Sequence, residues 1–149
     1  MLVAISGTNS SSSDSIHVDL DFLLVPTESR DFPGGDEAGV LLHKGFYEAF
    51  GRMRGEIGGV VLAGVGRGVR AIHVVGHSLG ELIVLTQRSQ LMVGAALAQI
   101  VGTYLQVLIG WEDAKVIVRG FATPRTGNDV SCEMREEVEA DEIAMGRLR

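Results

Sequence analysis

Residues 71–80 read AIHVVGHSLG, and this stretch decides how the rest of the chain is interpreted. Its first half, Ala71–Val75, is apolar and largely β-branched, which predicts a buried β-strand. Its second half has the pattern Gly-x-Ser-x-Gly, in which Gly76 and Gly80 flank Ser78. Because glycine relieves crowding in a sharp turn, the stretch predicts a strand that ends in a tight turn with an exposed serine.

Further strands are predicted on both sides of this stretch. Short apolar runs indicate strands at Leu2–Ile5 and Lys115–Phe121. The segment Val18–Val25 is either a strand or a turn-rich segment, and Pro26 stops it. Residues 27–39 contain Pro-Gly-Gly and are expected to form a surface loop.

Two helices are predicted between these strands. Apolar residues recur at spacings of three and four from His43 to about Val65, although several glycines weaken that helix. A second apolar stripe of the same period covers Ala95–Leu108. Strands that alternate with helices predict an α/β domain with a mostly parallel sheet flanked by helices.

Composition limits the classes of partner. The chain has 149 residues, enough for one domain, and a net charge of −6, which argues against binding to nucleic acid. No apolar run reaches the roughly 18–20 residues that span a bilayer. The only cysteine, Cys132, allows no internal disulfide and no cysteine metal site. We therefore expect no metal, no cofactor and no transmembrane segment.

The N-terminus does not read as a signal peptide, and the sequence predicts neither a location nor an oligomeric state.

The Gly-x-Ser-x-Gly pattern is typical of a nucleophile elbow. In an elbow the serine hydroxyl projects above the edge of the sheet, and the next helix directs its N-terminal N–H groups toward the reacting oxyanion. Ser78 is then the nucleophile and the Leu79 N–H is one oxyanion donor. The second donor comes from a loop after another strand, and Gly7-Thr8 is such a loop. The alternative is a serine in an ordinary strand-to-helix turn.

Six segments in order resemble the fungal-type class 3 lipases, a branch of the α/β-hydrolases. The segments are LVAISGTNS at 2–10, DLDF at 19–22, FPG at 32–34, HKGFYEAF at 43–50, IHVVGHSLG at 72–80 and VRGFATPRTGN at 118–128. The resemblance implies a partial α/β-hydrolase fold and hydrolysis of lipid or other carboxylic esters. It also implies that Ser78 is the nucleophile and that Thr8 and Leu79 form the oxyanion hole. In place of the arginine that usually precedes the family's Gly-Thr, this chain has Ser6.

The chain departs from the family in its catalytic base. The family order is serine, aspartate, histidine, whereas all four histidines here precede or adjoin the serine on its N-terminal side: His17, His43, His73 and His77. His43 matches a structural position of the family, and we expect His73 to be a core strand residue rather than a base. The acidic residues Asp129, Asp141 and Glu142 follow the last matching segment, but no histidine follows for them to orient.

Because loss of a triad member removes most of the rate, we expect impaired turnover. The alternative is an inactive fragment or pseudoenzyme that acts at most as a binding module.

Residues 81–94, ELIVLTQRSQLMVG, interrupt the resemblance directly after the elbow. When Gly80 is joined to Ala95, the chain reads GHSLGAALAQIVGTYLQ, which is how the family's elbow enters its helix. We interpret 81–94 as an insertion, and translated intron sequence is our hypothesis for it and for the segment from Val130. The alternative is one natural helix from 81 to 108. The expected organisation is a truncated lipase-type domain at 1–130 and a charged tail, helical or disordered, at 131–149.

Overall fold

The computed structural model describes residues 1–5, 23–77, 93–110, 112–121 and 126–131. Within these ranges the chain forms five strands and two helices: β1 (Leu2–Ile5), β2 (Leu24–Pro26), β3 (Leu41–His43), α1 (Lys44–Gly66), β4 (Ala71–His77), α2 (Val93–Ile109) and β5 (Lys115–Phe121). The predicted strands at Leu2–Ile5, Ala71–Val75 and Lys115–Phe121 are confirmed, as are both helices to within two residues.

The main sheet has three parallel strands in the order β1-β4-β5. Ile5 of β1 and Gly120 of β5 both pair with Gly76 of β4, so the three strands end close to one another at the same edge. The prediction of an α/β structure with a parallel sheet flanked by helices is therefore confirmed for this part of the chain.

Helix α2 covers one face of this sheet. Alternate residues of β4, namely Ile72, Val74 and Gly76, are buried on the α2 side. One close contact lies in the middle of α2, where a Cβ on Gly102 would overlap the side chain of Val118. The opposite face is more open, and Leu2 on it is 67% exposed.

Helix α1 packs against α2. The rings of Phe50 and Tyr104 meet edge to face with their centroids 5.1 Å apart. Next to them, a Cβ on Gly58 would lie 3.1 Å from the Tyr104 hydroxyl oxygen, so the small residue lets the two helices approach. Phe50, Val61 and Leu105 are completely buried in the shared core. The predicted helix thus forms in spite of its glycines because tertiary packing stabilises it.

A second, antiparallel sheet of two short strands precedes α1. In it β2 pairs with β3, with Val25 opposite Leu42. We did not predict β3, since three residues are too few to show a period. Pro26 is the last residue of β2, paired opposite Leu41, rather than a residue beyond the strand. A proline is tolerated there because β2 is an edge strand and needs no N–H on its free side.

The segment 27–40 between these strands is only partly the surface loop that we expected. It is a series of turns, with Gly34 and Gly39 at positive φ. Four of its side chains are nevertheless buried: Thr27, Asp31 and Phe32 are each 3% exposed, and Val40 is 2% exposed. Phe32 enters the core, where its ring centroid lies 6.0 Å from that of Phe50. The loop is therefore part of the packed structure.

Candidate functional site

The carboxyl end of β4 is the centre of the candidate site. Ser78 follows directly after the last residue of this strand, and β4 is the middle strand of the parallel sheet. The neighbouring strand β1 ends level with it, because Ile5 pairs with Gly76. The chain leaves Ile5 toward Thr8 and leaves His77 toward Ser78 at the same edge. In open parallel sheets this edge is where ligands bind.

Gly76 and α2 are in direct backbone contact at this edge. A Cβ built on Gly76 would overlap the carbonyl oxygen of Gly94 and would lie 2.6 Å from the Cβ of Ala98. Real Cβ atoms essentially never lie so close to other atoms, so this position accepts only glycine unless α2 moves. The first glycine of the Gly-x-Ser-x-Gly pattern therefore has a steric role that is visible in the structure.

Small side chains at the start of α2 complete this contact. Residues 94–98 read GAALA, and all five are buried. Ala95, Ala96 and Ala98 have no exposed surface at all. Gly94, which we had placed at the end of the insertion, belongs to α2 and touches the strand. The positive end of the α2 dipole is accordingly near the edge where β4 ends.

Most of the other predicted site residues lie outside the described ranges. Ser78, Leu79 and Gly80 follow β4 in the gap between residues 77 and 93, and Thr8 lies in the gap between residues 5 and 23. The insertion up to Met92 and the tail from Cys132 are likewise outside. The structure thus brings together Gly76, the end of β1 and the start of α2, and it leaves the roles of Ser78, Thr8 and Leu79 as predictions.

Three histidines lie in the described strands, and the side chains of two of them, His43 and His73, are described. His73 points to the face of the sheet away from α2, since its neighbours Ile72 and Val74 point toward α2. His43 is the last residue of β3, and its ring lies 4.6 Å from that of Phe46. Its Nδ1 is buried without a hydrogen-bond partner, and burial lowers the pKa of His43. The position of His43 supports its expected structural role. His73 is a strand residue as expected, but it lies half-buried on the more open face of the sheet and not in the core. His17 and the side chain of His77 are outside the described part.

The segment Thr126–Asn128 is fastened to β3 by a clasp of hydrogen bonds. The Asn128 side chain accepts a hydrogen bond from the Leu41 N–H at 3.1 Å and donates one to the Gly39 carbonyl at 2.8 Å. Two main-chain hydrogen bonds complete the clasp. The His43 N–H donates to the Thr126 carbonyl at 2.9 Å, and the Asn128 N–H donates to the Leu41 carbonyl at 3.1 Å. This clasp gives the Gly-Asn pair of the last lipase-like segment a structural role.

Glycine is also required inside the clasp. A Cβ on Gly127 would overlap the carbonyl oxygen of Leu41 and would lie 2.5 Å from Oγ of Ser131. Ser131 in turn donates its hydroxyl to the Asn128 carbonyl at 2.6 Å. The clasp therefore joins two parts of the chain that are 87 positions apart.

A buried polar network ties the loop 27–40 to α1. Asp31 forms an ion pair with Arg54 and accepts a hydrogen bond from the Tyr47 hydroxyl at 2.7 Å. The same hydroxyl accepts the Glu28 N–H at 2.9 Å. Burial is the main cause that raises the pKa of Tyr47 to about 12, and the neighbouring Asp31 adds to it. Sequence reasoning missed this network because its members have no regular spacing.

A half-open cleft lies between α2, β3 and the clasp. Its volume of about 30 Å³ has room for one or two water molecules. Apolar side chains such as Phe32 and Ile100 line it together with polar ones such as Gln99 and Thr103. Substrate pockets are typically about 300 Å³ or larger, so this cleft is a packing feature of the loop and α2.

Comparisons with protein-family models, with curated proteins and with solved structures find no match to the chain. The lipase interpretation therefore depends on the six short segments and on how the structure arranges them. In the described ranges no helix is long and apolar enough to cross a membrane. The same ranges contain no group of three or more His, Cys, Asp or Glu side chains that could hold a metal ion.

Proposed function

We propose that this chain carries the nucleophile elbow of a serine carboxylic-ester hydrolase of the lipase type. The observation that carries the proposal is the contact at Gly76. The last residue but one of a central parallel strand is a glycine against which the next described helix packs backbone to backbone, and the serine follows two residues later. A nucleophile elbow needs this close packing, because the serine sits in a strained turn between strand and helix.

The proposed chemistry assigns a role to each predicted residue. The Ser78 oxygen attacks the ester carbonyl, the ester C–O bond breaks, and the alcohol leaves with the proton that the hydroxyl loses. Water then hydrolyses the acyl-enzyme to the free acid and restores the hydroxyl. The backbone N–H groups of Leu79 and Thr8 stabilise the oxyanion of the tetrahedral intermediate. The pairing of Ile5 with Gly76 supports this assignment, because it starts both segments from neighbouring positions at one edge of the sheet. The substrates are lipid or other carboxylic esters.

The spatial grouping of the lipase-like segments supports a partial α/β-hydrolase fold. The segment at 32–34 packs on the one at 43–50 through Phe32 and Phe50, whose ring centroids are 6.0 Å apart. The last segment is fastened to the strand β3 by Asn128. The segments at 2–10 and 72–80 supply adjacent parallel strands.

Low turnover by these 149 residues is part of the proposal. Every histidine precedes Ser78. His43 packs against Phe46, and His73 lies on the face of the sheet away from α2. Without a base to accept its proton, a serine hydroxyl is a weak nucleophile. This distribution of histidines favours a second candidate function, an inactive relative that binds acyl groups without cleaving them.

Hydrolysis of p-nitrophenyl butyrate separates the two functions. We expect the purified chain to release nitrophenol slowly, to respond to added imidazole as a substitute base, and to lose all of this activity in Ser78→Ala. Reactions with Ser78→Ala and the same imidazole concentration correct for the ester hydrolysis that imidazole causes by itself. Equal rates for the wild type and Ser78→Ala at every imidazole concentration would reject the hydrolase and leave the binding module.

A further inference from the structure

We draw no further inference here: the strongest candidate, the face of the β1-β4-β5 sheet turned away from α2, where Leu2 is exposed beside the half-buried Val75 and Ile117, carries none because nothing in the described part of the chain shows what covers it.

Discussion

Two regions of this molecule hold lipase-like segments in place by opposite physical means. Near the end of β4, glycine is required at position 76 for steric reasons, since the α2 backbone occupies the space that a side chain would need. In the loop 27–40, polar interactions hold Asp31 in place, namely the ion pair with Arg54 and the hydrogen bond from Tyr47. The first region contains small apolar residues and the second contains a buried charge.

The difference determines which substitutions each region can accept. The contact at Gly76 should fail when an atom is added, because close-packed backbone has no room to relax. The network at Asp31 should fail when a group is removed, because a buried partner then loses its hydrogen bond or counter-charge. The candidate site therefore depends on a contact that is sensitive to size, whereas the loop depends on one that is sensitive to charge.

The largest expected effect is that of Gly76→Ala. Its Cβ would lie 2.6 Å from the Cβ of Ala98 and would overlap the Gly94 carbonyl oxygen, so α2 must move. We expect a loss of about 3 kcal/mol or more in the free energy of unfolding, measured by urea denaturation.

Gly59→Ala is the matched control for that substitution. Gly59 lies in α1 with open space around its Cβ position, so alanine should stabilise the helix by about 0.5–1 kcal/mol. If Gly76→Ala is as stable as the wild type, the close contact of β4 with α2 does not exist in solution.

The next largest effect is expected for Asp31→Ala. This change leaves Arg54, whose side chain is 20% exposed, without its counter-charge and removes the acceptor of the Tyr47 hydroxyl. Because Arg54 retains some contact with water, we expect a loss of about 2–3 kcal/mol in unfolding free energy rather than the largest values seen for buried pairs. Glu37→Ala, at an exposed carboxylate of the same loop, should leave the urea midpoint unchanged. Equal midpoints for the two variants would show that the Asp31 network adds no stability.

Asn128→Ala tests the clasp between the last lipase-like segment and β3. It removes the hydrogen bonds to the Leu41 N–H, the Gly39 carbonyl and the Ser131 N–H, for an expected loss of about 2 kcal/mol. Amide hydrogen exchange at Leu41 should become faster in this variant. Asn128→Asp keeps the acceptor oxygen and should preserve the protection of the Leu41 amide. If the Leu41 amide exchanges at the same rate in the wild type, Asn128→Ala and Asn128→Asp, the Asn128 side chain does not bond to it in solution.

The smallest effect is expected for Tyr47→Phe, about 1 kcal/mol near neutral pH, since the Glu28 N–H can turn to water. The pH dependence is more specific. The pKa of Tyr47 is about 12 in the fold, above its ordinary value of 10.0, so its stabilising contribution is complete below pH 10 and is lost as the pH rises toward 12.

Tyrosinate absorbance provides the measurement for Tyr47. The chain has two tyrosines, so the wild type should show a transition near pH 12 that is missing from Tyr47→Phe. Unfolding experiments between pH 9 and 12 should show a steeper loss of stability for the wild type than for the variant. A titration that is the same for both proteins would contradict the buried environment of Tyr47.

Sequence patterns predicted those strands and helices that are long enough to show a regular spacing or a typical composition. The β-branched run at Ala71–Val75 and the apolar stripe of Ala95–Leu108 each have a clear period or composition, and both elements form as expected. Their parallel arrangement followed from the alternation of strand and helix. Gly76 was singled out by the Gly-x-Ser-x-Gly motif, although only the structure shows that its neighbour is the Gly94 carbonyl.

Features made by residues far apart in the chain were not predictable. Strand β3 has three residues and is stabilised by β2 on one side and by Asn128 on the other, 87 positions from Leu41. The pairing of Asp31 with Arg54 likewise joins a loop to the middle of a helix. A single sequence shows the side chains of such contacts but not the distances between them.

The most direct test of the central claim is covalent modification of Ser78 by a fluorophosphonate in the presence of imidazole, followed by peptide mass spectrometry. We expect an adduct on the peptide that contains Ser78 in the wild type, no adduct there in Ser78→Ala, and much less of it in Gly76→Ala. Exposed or half-exposed serines such as Ser29 and Ser131 serve as internal controls. An absent adduct, or one that forms equally fast on Ser29 and Ser131, would contradict the claim that β4 and α2 present Ser78 as a nucleophile.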